Sequence, residues 1–173
     1  MKPIIFIFLI LTISCTIKMP EIQITGERTT LEKQILGEYM EIEDKQWFLI
    51  SERSVSNKDF EIGKNRKMIE AIRKRIFLRD EIKEFKIKGY IGEDITSLVA
   101  VISPKKLEKL SKKDRDRIYF VVDEENMARS IIILTLSESY IKRDVKRAFY
   151  NLNIDTSPEG SFYRDSNGDW EKK

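Results

Sequence analysis

The chain predicts a mainly α fold: a small helical domain with one short strand and a C-terminal β-hairpin. Three observations lead there. From residue 29 onward, apolar residues recur at spacings of three and four, the buried stripe of amphipathic helices. Charged residues make up 35% of the sequence and are interspersed in sign, which suits the solvated faces of such helices. Asn167-Gly168, flanked by Phe162, Tyr163 and Trp170, is the pair that a type I′ hairpin turn needs, because both central residues take positive φ.

The first stretch stands apart. Lys2 precedes an unbroken apolar run at 4–11, then Thr12, Ile13, Ser14 and Cys15. Basic start, short apolar core and small residues before a cut are the order of a secretory signal. Lys18 and Pro20 end the run well short of the ~20 apolar residues that a membrane-spanning helix needs. Cys15 is the chain's one cysteine, so it has no disulfide partner in the chain. At the end of that run it resembles a lipoprotein box, although Thr12 stands where leucine is usual and Leu11 is one residue further back. The expected order is a signal peptide at 1–14, a lipidated cysteine and tether at 15–28, and one domain at 29–173. Each lipid CH₂ buried contributes about 0.8 kcal/mol, and two or more chains anchor stably. The tether carries Pro20 and Gly26, and its extended length of roughly 40 Å holds the domain clear of a membrane.

The helices follow in order. Thr29 and Glu32 make a capping box, and Leu31, Ile35, Tyr39, Ile42 and Leu49 continue as a stripe. The run 47–50 is apolar on all sides, which predicts burial. Residues 54–63 read as a polar connection. Ile69, Ile72 and Ile76 form one stripe, and Leu78, Ile82 and Phe85 form another out of phase, predicting a break at Arg79-Asp80. Gly89 and Gly92 bracket an expected turn. Residues 95–102 are short, β-branched and continuous, the one expected strand before the hairpin. Ser103-Pro104 starts a helix, and its stripe, Leu107, Leu110, Ile118 and Val121, is interrupted near Ser111. Asn126 is placed to cap the next helix, whose stripe runs through Met127, Ile131, Leu134, Ile141, Val145 and Phe149. The end, 157–173, is the hairpin, expected to fold its aromatics onto the helices.

Composition narrows function. Without residues 1–14 about 159 remain, enough for one core. The side-chain balance is then about +2, too near neutral to argue for nucleic acid as a partner. The chain has no histidine and no cysteine besides Cys15. That excludes imidazole catalysis, Ser-His and Cys-His nucleophiles and the usual zinc sites. No cofactor or metal is expected.

Four candidate sites compete with plainer explanations. Ser103 and Lys106 satisfy S-x-x-K, the nucleophile motif of penicillin-interacting enzymes, but the chain lacks S-D-N and K-T-G, and helix capping accounts for Ser103. Asp165, Asn167 and Asp169 have calcium-loop spacing, but Trp170 occupies the position that requires glycine. Phe162, Tyr163 and Trp170 suit an aromatic platform or ordinary packing. The cluster Lys64, Arg66, Lys67, Arg73, Lys74 and Arg75 is the basic patch. Within it Lys64, Lys67, Lys74 and Arg75 can share one exposed sector opposite Ile69, Ile72 and Ile76 and meet anionic lipid or an acidic partner. The plainer account is a solvated helix face.

The C-terminal landmarks also bear on kinship. Pro158, Tyr163, Asn167, Gly168, Trp170, Lys172 and Lys173 match a P-G-E-Y-V…N-G-x-W-x-K-K ending, with Glu159-Gly160 in reversed order and extra residues before Tyr163. Ile91-Gly92-Glu93 matches a V-G-E turn, and residues 114–119 loosely echo a helix motif. In these features roughly residues 64–173 resemble the YdbL-like family of bacterial envelope proteins, and 15–56 looks like the extension of its lipoprotein members. The resemblance implies an envelope location and, in some members, a neighbour that forms a large lipid-transfer bridge. It implies no catalytic residues. The functional expectation is a non-enzymatic, lipid-anchored accessory or binding module of the bacterial cell envelope, touching the membrane through Cys15 and an envelope protein through its domain. A carboxylate-dependent cell-wall glycan hydrolase and a surface adhesin are the alternatives; two carboxylates ~5–9.5 Å apart in an acidic cleft would favour the hydrolase.

Overall fold

The computed structural model describes residues 28–51 and 66–173 and, in the first of these spans, side chains up to residue 46. The expected signal, Cys15, most of the tether, the polar connection, Lys64 and the burial of 47–50 lie outside the described residues.

Helix α1 (Thr30–Ser51) opens on the expected capping box: the Thr29 N–H donates to Glu32 Oε2 at 2.9 Å and the Glu32 N–H to Thr29 Oγ1 at 3.2 Å. Ile35, Leu36 and Tyr39 form its buried stripe, whereas Leu31 is exposed. Helix α2 (Arg66–Ile87) is unbroken, so the predicted break at Arg79-Asp80 is wrong. Its two phases have another cause. Ile72 and Ile76 enter one apolar cluster and Leu78, Ile82 and Phe85 a second, and an unbroken helix that touches two cores in succession changes phase without a break. Its end is a Schellman motif with Gly89 at φ +64°: the Tyr90 N–H bonds Phe85 O at 3.0 Å and the Gly89 N–H bonds Lys86 O at 2.9 Å.

The expected Gly89–Gly92 turn is instead the entry to strand β1 (Ile91–Glu93). Strand β2 (Val99–Val101) occupies the later part of the expected strand, and 94–98 turn back between the two. Helix α3 (Pro104–Leu107) starts after Ser103 as expected, though the serine hydroxyl makes no capping bond. Helix α4 (Lys112–Leu136) starts at Ser111, whose Oγ accepts from the Asp114 N–H at 3.1 Å. Asn126 therefore caps nothing. It lies mid-helix, where its amide accepts from the Val99 N–H at 2.8 Å and donates to Val99 O at 2.9 Å, as a neighbouring strand would. Helix α5 (Lys142–Asp155) follows a break at 137–141. The long stripe expected across that break is divided: Met127, Leu134 and Ile141 are exposed, while Val145 and Phe149 are core.

Strands β3 (Phe162–Arg164) and β4 (Trp170–Lys172) form the expected C-terminal hairpin, but it joins a sheet instead of lying on the helices. The strand order is β2-β1-β3-β4, with β3 parallel to β1 and the other pairs antiparallel. The turn also differs. Only Gly168 has positive φ, at 92°, and five residues make the loop, whose Asp165 carboxylate accepts from the N–H groups of Asn167 (3.0 Å) and Asp169 (2.8 Å). Gly92 is required where the sheet closes: a Cβ there would lie 2.6 Å from the Trp170 ring and 2.7 Å from Phe162 O.

Cross-helix ion pairs fix the spine. Lys74 meets Glu124 at 2.5 Å and Arg117 meets Glu81 at 2.5 Å, so α2 and α4 run antiparallel. One apolar cluster lies between α1, the first half of α2, the second half of α4, and α5. The other lies between the remaining halves, α3, β1 and β2.

Candidate functional site

Charged residues occupy core positions where the two apolar clusters meet. On α2 these are Arg75 and Lys86, on α4 Glu125 and Arg129, and on β1 Glu93. Arg129 is 1% exposed, Glu93 0%, Glu125 2% and Lys86 5%. Such burial is tolerated only when the charges pair and their remaining polar atoms are bonded, and here they are. Arg129 holds Glu93 bidentately, Nη1 to Oε2 at 2.6 Å and Nη2 to Oε1 at 3.0 Å. Its Nε donates to Glu125 Oε1 at 2.6 Å, and its Nη1 also reaches Ser97 O at 3.1 Å. Arg75 donates to the same Glu125 oxygen at 3.0 Å, to the Tyr39 hydroxyl at 2.6 Å and to Asn153 Oδ1 at 2.9 Å. Lys86 donates to Glu93 Oε1 at 2.5 Å and to Ser157 Oγ at 2.7 Å.

Each carboxylate thus bridges two cations, and the network holds three cations, Arg75 among them only partly buried, against two carboxylates. Burial alone would raise the carboxyl pKa values. Arg129 and then Lys86 outweigh it at Glu93 and hold that group at about 2, while Arg75 and Arg129 hold Glu125 low. Burial pushes the Tyr39 hydroxyl up. Lys86 is the exception among the cations: burial, joined by the Arg129 charge, lowers its pKa despite Glu93.

Above this network opens a cleft of about 330 Å³. One wall is α1, with Tyr39, Met40, Glu43 and Asp44; another is α2, with Arg75, Arg79, Ile82, Lys83 and Lys86. Glu125 and Arg129 lie at the floor, and Leu152, Asn153, Thr156 and Pro158 close the far side. Positions 75, 79, 82, 83 and 86 share one face of α2 by their three- and four-residue spacing. Arg79 meets Glu43 across the cleft at 2.8 Å.

Among the described residues, Lys67, Lys74 and Arg75 do not form the basic face predicted from sequence. Lys67 is exposed, Lys74 is paired with Glu124, and Arg75 points inward to Glu125 with its side chain 13% exposed. The reason is that α2 is packed on both sides, by α1 and by α4, and Tyr39, Glu124 and Glu125 of those helices take Lys74 and Arg75. The S-x-x-K pair is separated in role: Lys106 Nζ donates to Lys88 O at 2.5 Å, helping to cap α2, and lies over the Tyr90 ring. No acidic group suited to a metal ion gathers among the described residues. Phe162, Tyr163 and Trp170 are half-buried, with the Arg164 guanidinium 4.7 Å over the Trp170 ring. Sequence reasoning passed over Glu93, Glu125, Arg129 and Lys86. Their signal was present: Glu125 and Arg129 keep the phase of Val121, Val122, Ala128 and Ile132, and Lys86 that of Ile82.

No helix among the described residues is long and apolar enough to cross a membrane. Comparison of the chain with protein-family models, with curated proteins and with solved structures gave no match.

Proposed function

We propose that the chain is a lipid-anchored protein of the bacterial cell envelope that works without catalysis, as an accessory or binding module whose cleft receives another envelope component. The observation that supports this reading is the state of the two buried carboxylates at and beneath the cleft floor, Glu125 and Glu93. A glycoside hydrolase needs one carboxylic acid protonated near neutral pH. Glu93 is held at about 2 and Glu125 is held low, each by two cations. Groups fixed in this way shape a rigid floor and move no protons. The lone cysteine after a short apolar run supports the anchor, and the C-terminal likeness to the YdbL-like family supports the envelope setting.

A photo-crosslinking amino acid at Met40, which lines the cleft, tests the reading in intact cells against the same probe at exposed Leu134 on α4. A discrete adduct from position 40, absent from 134 and lost in Cys15→Ser, is the expected outcome. An adduct from 134 alone would move the binding surface away from the cleft. A Cys15→Ser variant that still enters the membrane fraction and still takes up an alkyne fatty acid would overturn the anchor.

A further inference from the structure

We propose that the cleft takes a small organic anion, a carboxylate or phosphate group on an apolar chain, with its charged end between Lys83 and Lys86 and its chain along Met40, Ile82 and Leu152. This rests on the cleft being a binding site and adds the chemistry of what enters it.

The charge inventory comes first. Among the five linked groups, four of them buried and Arg75 partly so, Arg75, Arg129 and Lys86 face Glu93 and Glu125, leaving one positive charge in excess. Lys86 is where that excess falls, because Glu93 is the one carboxylate it meets and Arg129 already holds both oxygens of that group. Lys83 stands three residues away on the same face of α2 and makes no ion pair among the described residues, so a second ammonium borders the same space. Lys86 shares Glu93 with Arg129, so its charge is only partly offset, and an anion beside it completes the compensation. Desolvation of Lys86 points the same way.

The opposite wall sets the orientation. Glu43 is engaged by Arg79, and Asp44 lines the α1 side as an exposed carboxylate. An anion is therefore repelled from α1 and drawn towards α2. Met40, 41% exposed, together with Ile82 and Leu152 offers carbon surface that a bare inorganic ion would leave unused. A volume of about 330 Å³ is at the small end of ligand pockets and suits a short chain.

Octanoate, octyl phosphate, octanol and inorganic phosphate, each below any micelle concentration, are titrated into the purified full chain by calorimetry, with thermal midpoints read in parallel. A ligand that binds only the folded state raises the midpoint. Saturable binding of octanoate or octyl phosphate, at least about tenfold tighter than octanol and inorganic phosphate, is the expected result, and the preferred headgroup separates carboxylate from phosphate. Lys83→Glu lies on the surface, keeps the fold and should weaken that binding about tenfold or more. Lys86→Met should abolish it; if that variant does not fold, Lys83→Glu remains decisive. Octanol binding as tightly as octanoate, or indifference to Lys83→Glu, overturns the inference. If none of the four binds while position 40 still crosslinks in cells, the anion is wrong and the cleft's binding role stands.

Discussion

Glu93 leaves a three-residue strand and accepts from cations on two different helices, Arg129 on α4 and Lys86 on α2. It is fully buried, so removing its charge leaves Lys86 without a carboxylate partner and Arg129 with Glu125 alone. Breaking a buried ion pair in this way costs about 3–5 kcal/mol, more than a surface pair such as Arg66–Glu70, which is worth about 0.5 kcal/mol or less. Glu93→Gln should lose stability of that order at pH 7 in urea unfolding. The same residue predicts a pH dependence. Its carboxyl falls from the ordinary 4.5 to about 2 on folding. The stability it contributes is therefore complete above pH 4.5 and disappears as pH falls from 4.5 towards 2. Glu125, also held low, contributes to the same decline. Urea midpoints measured across this window should decline less steeply in Glu93→Gln than in the unaltered chain; equal slopes would show that Glu93 does not titrate between the two states.

At the scale of elements, α4 packs its one face against two different structures, apolar side chains on α2 and a strand edge through Asn126. The Asn126 amide satisfies both polar groups of Val99 on β2. Asn126→Leu leaves an N–H and a C=O without partners at a part-buried edge and should cost about 1–3 kcal/mol. Leu134→Lys, on the same helix but 63% exposed, should change stability by about 0.5 kcal/mol or less. Thermal unfolding of both distinguishes the edges, and equal midpoints would mean that the Asn126 bonds do not form in solution. These assignments also show what could be read beforehand. The Thr29–Glu32 box was legible because a cap is local chemistry, complete within four residues, whereas Ser111 was read only as an interruption of one stripe and the cap was placed at Asn126. The unity of α2 was not, because its phase change reflects two cores contributed by distant segments. Strand β1 was hidden because three residues are too few for a period of two, and its parallel partner Phe162 lies far along the chain. The floor of the cleft left a trace only in phase, with Glu125 and Arg129 on the apolar stripe of α4, because in a chain with 35% charged residues a core arginine looks like a surface one until its partners are placed.

Across the whole molecule the C-terminal hairpin does more than extend the sheet. Strand β3 lies beside β1 with Gly92 opposite Phe162, and the Trp170 ring fills the space that a side chain at Gly92 would need. Lys173 Nζ donates to Asp155 O at 2.8 Å and to Ser157 O at 2.7 Å, tying down the segment after α5. The Tyr150 hydroxyl on α5 donates to Arg164 O, a further tie. That segment is the far side of the cleft: Ser157 accepts from Lys86, and Pro158 lines the opening. The hairpin therefore holds one wall of the site while contributing no side chain to it. Removing residues 161–173 would expose the β1 edge and release the 155–158 segment, so the midpoint should fall by about 5 °C or more and the cleft should loosen. Calorimetry reads the first effect, and octanoate affinity, where the full chain binds it, reads the second. A truncated chain with an unchanged midpoint would mean that β3 and β4 are a free tail, in which case the burial of Gly92 and the placement of Ser157 must come from the helices alone.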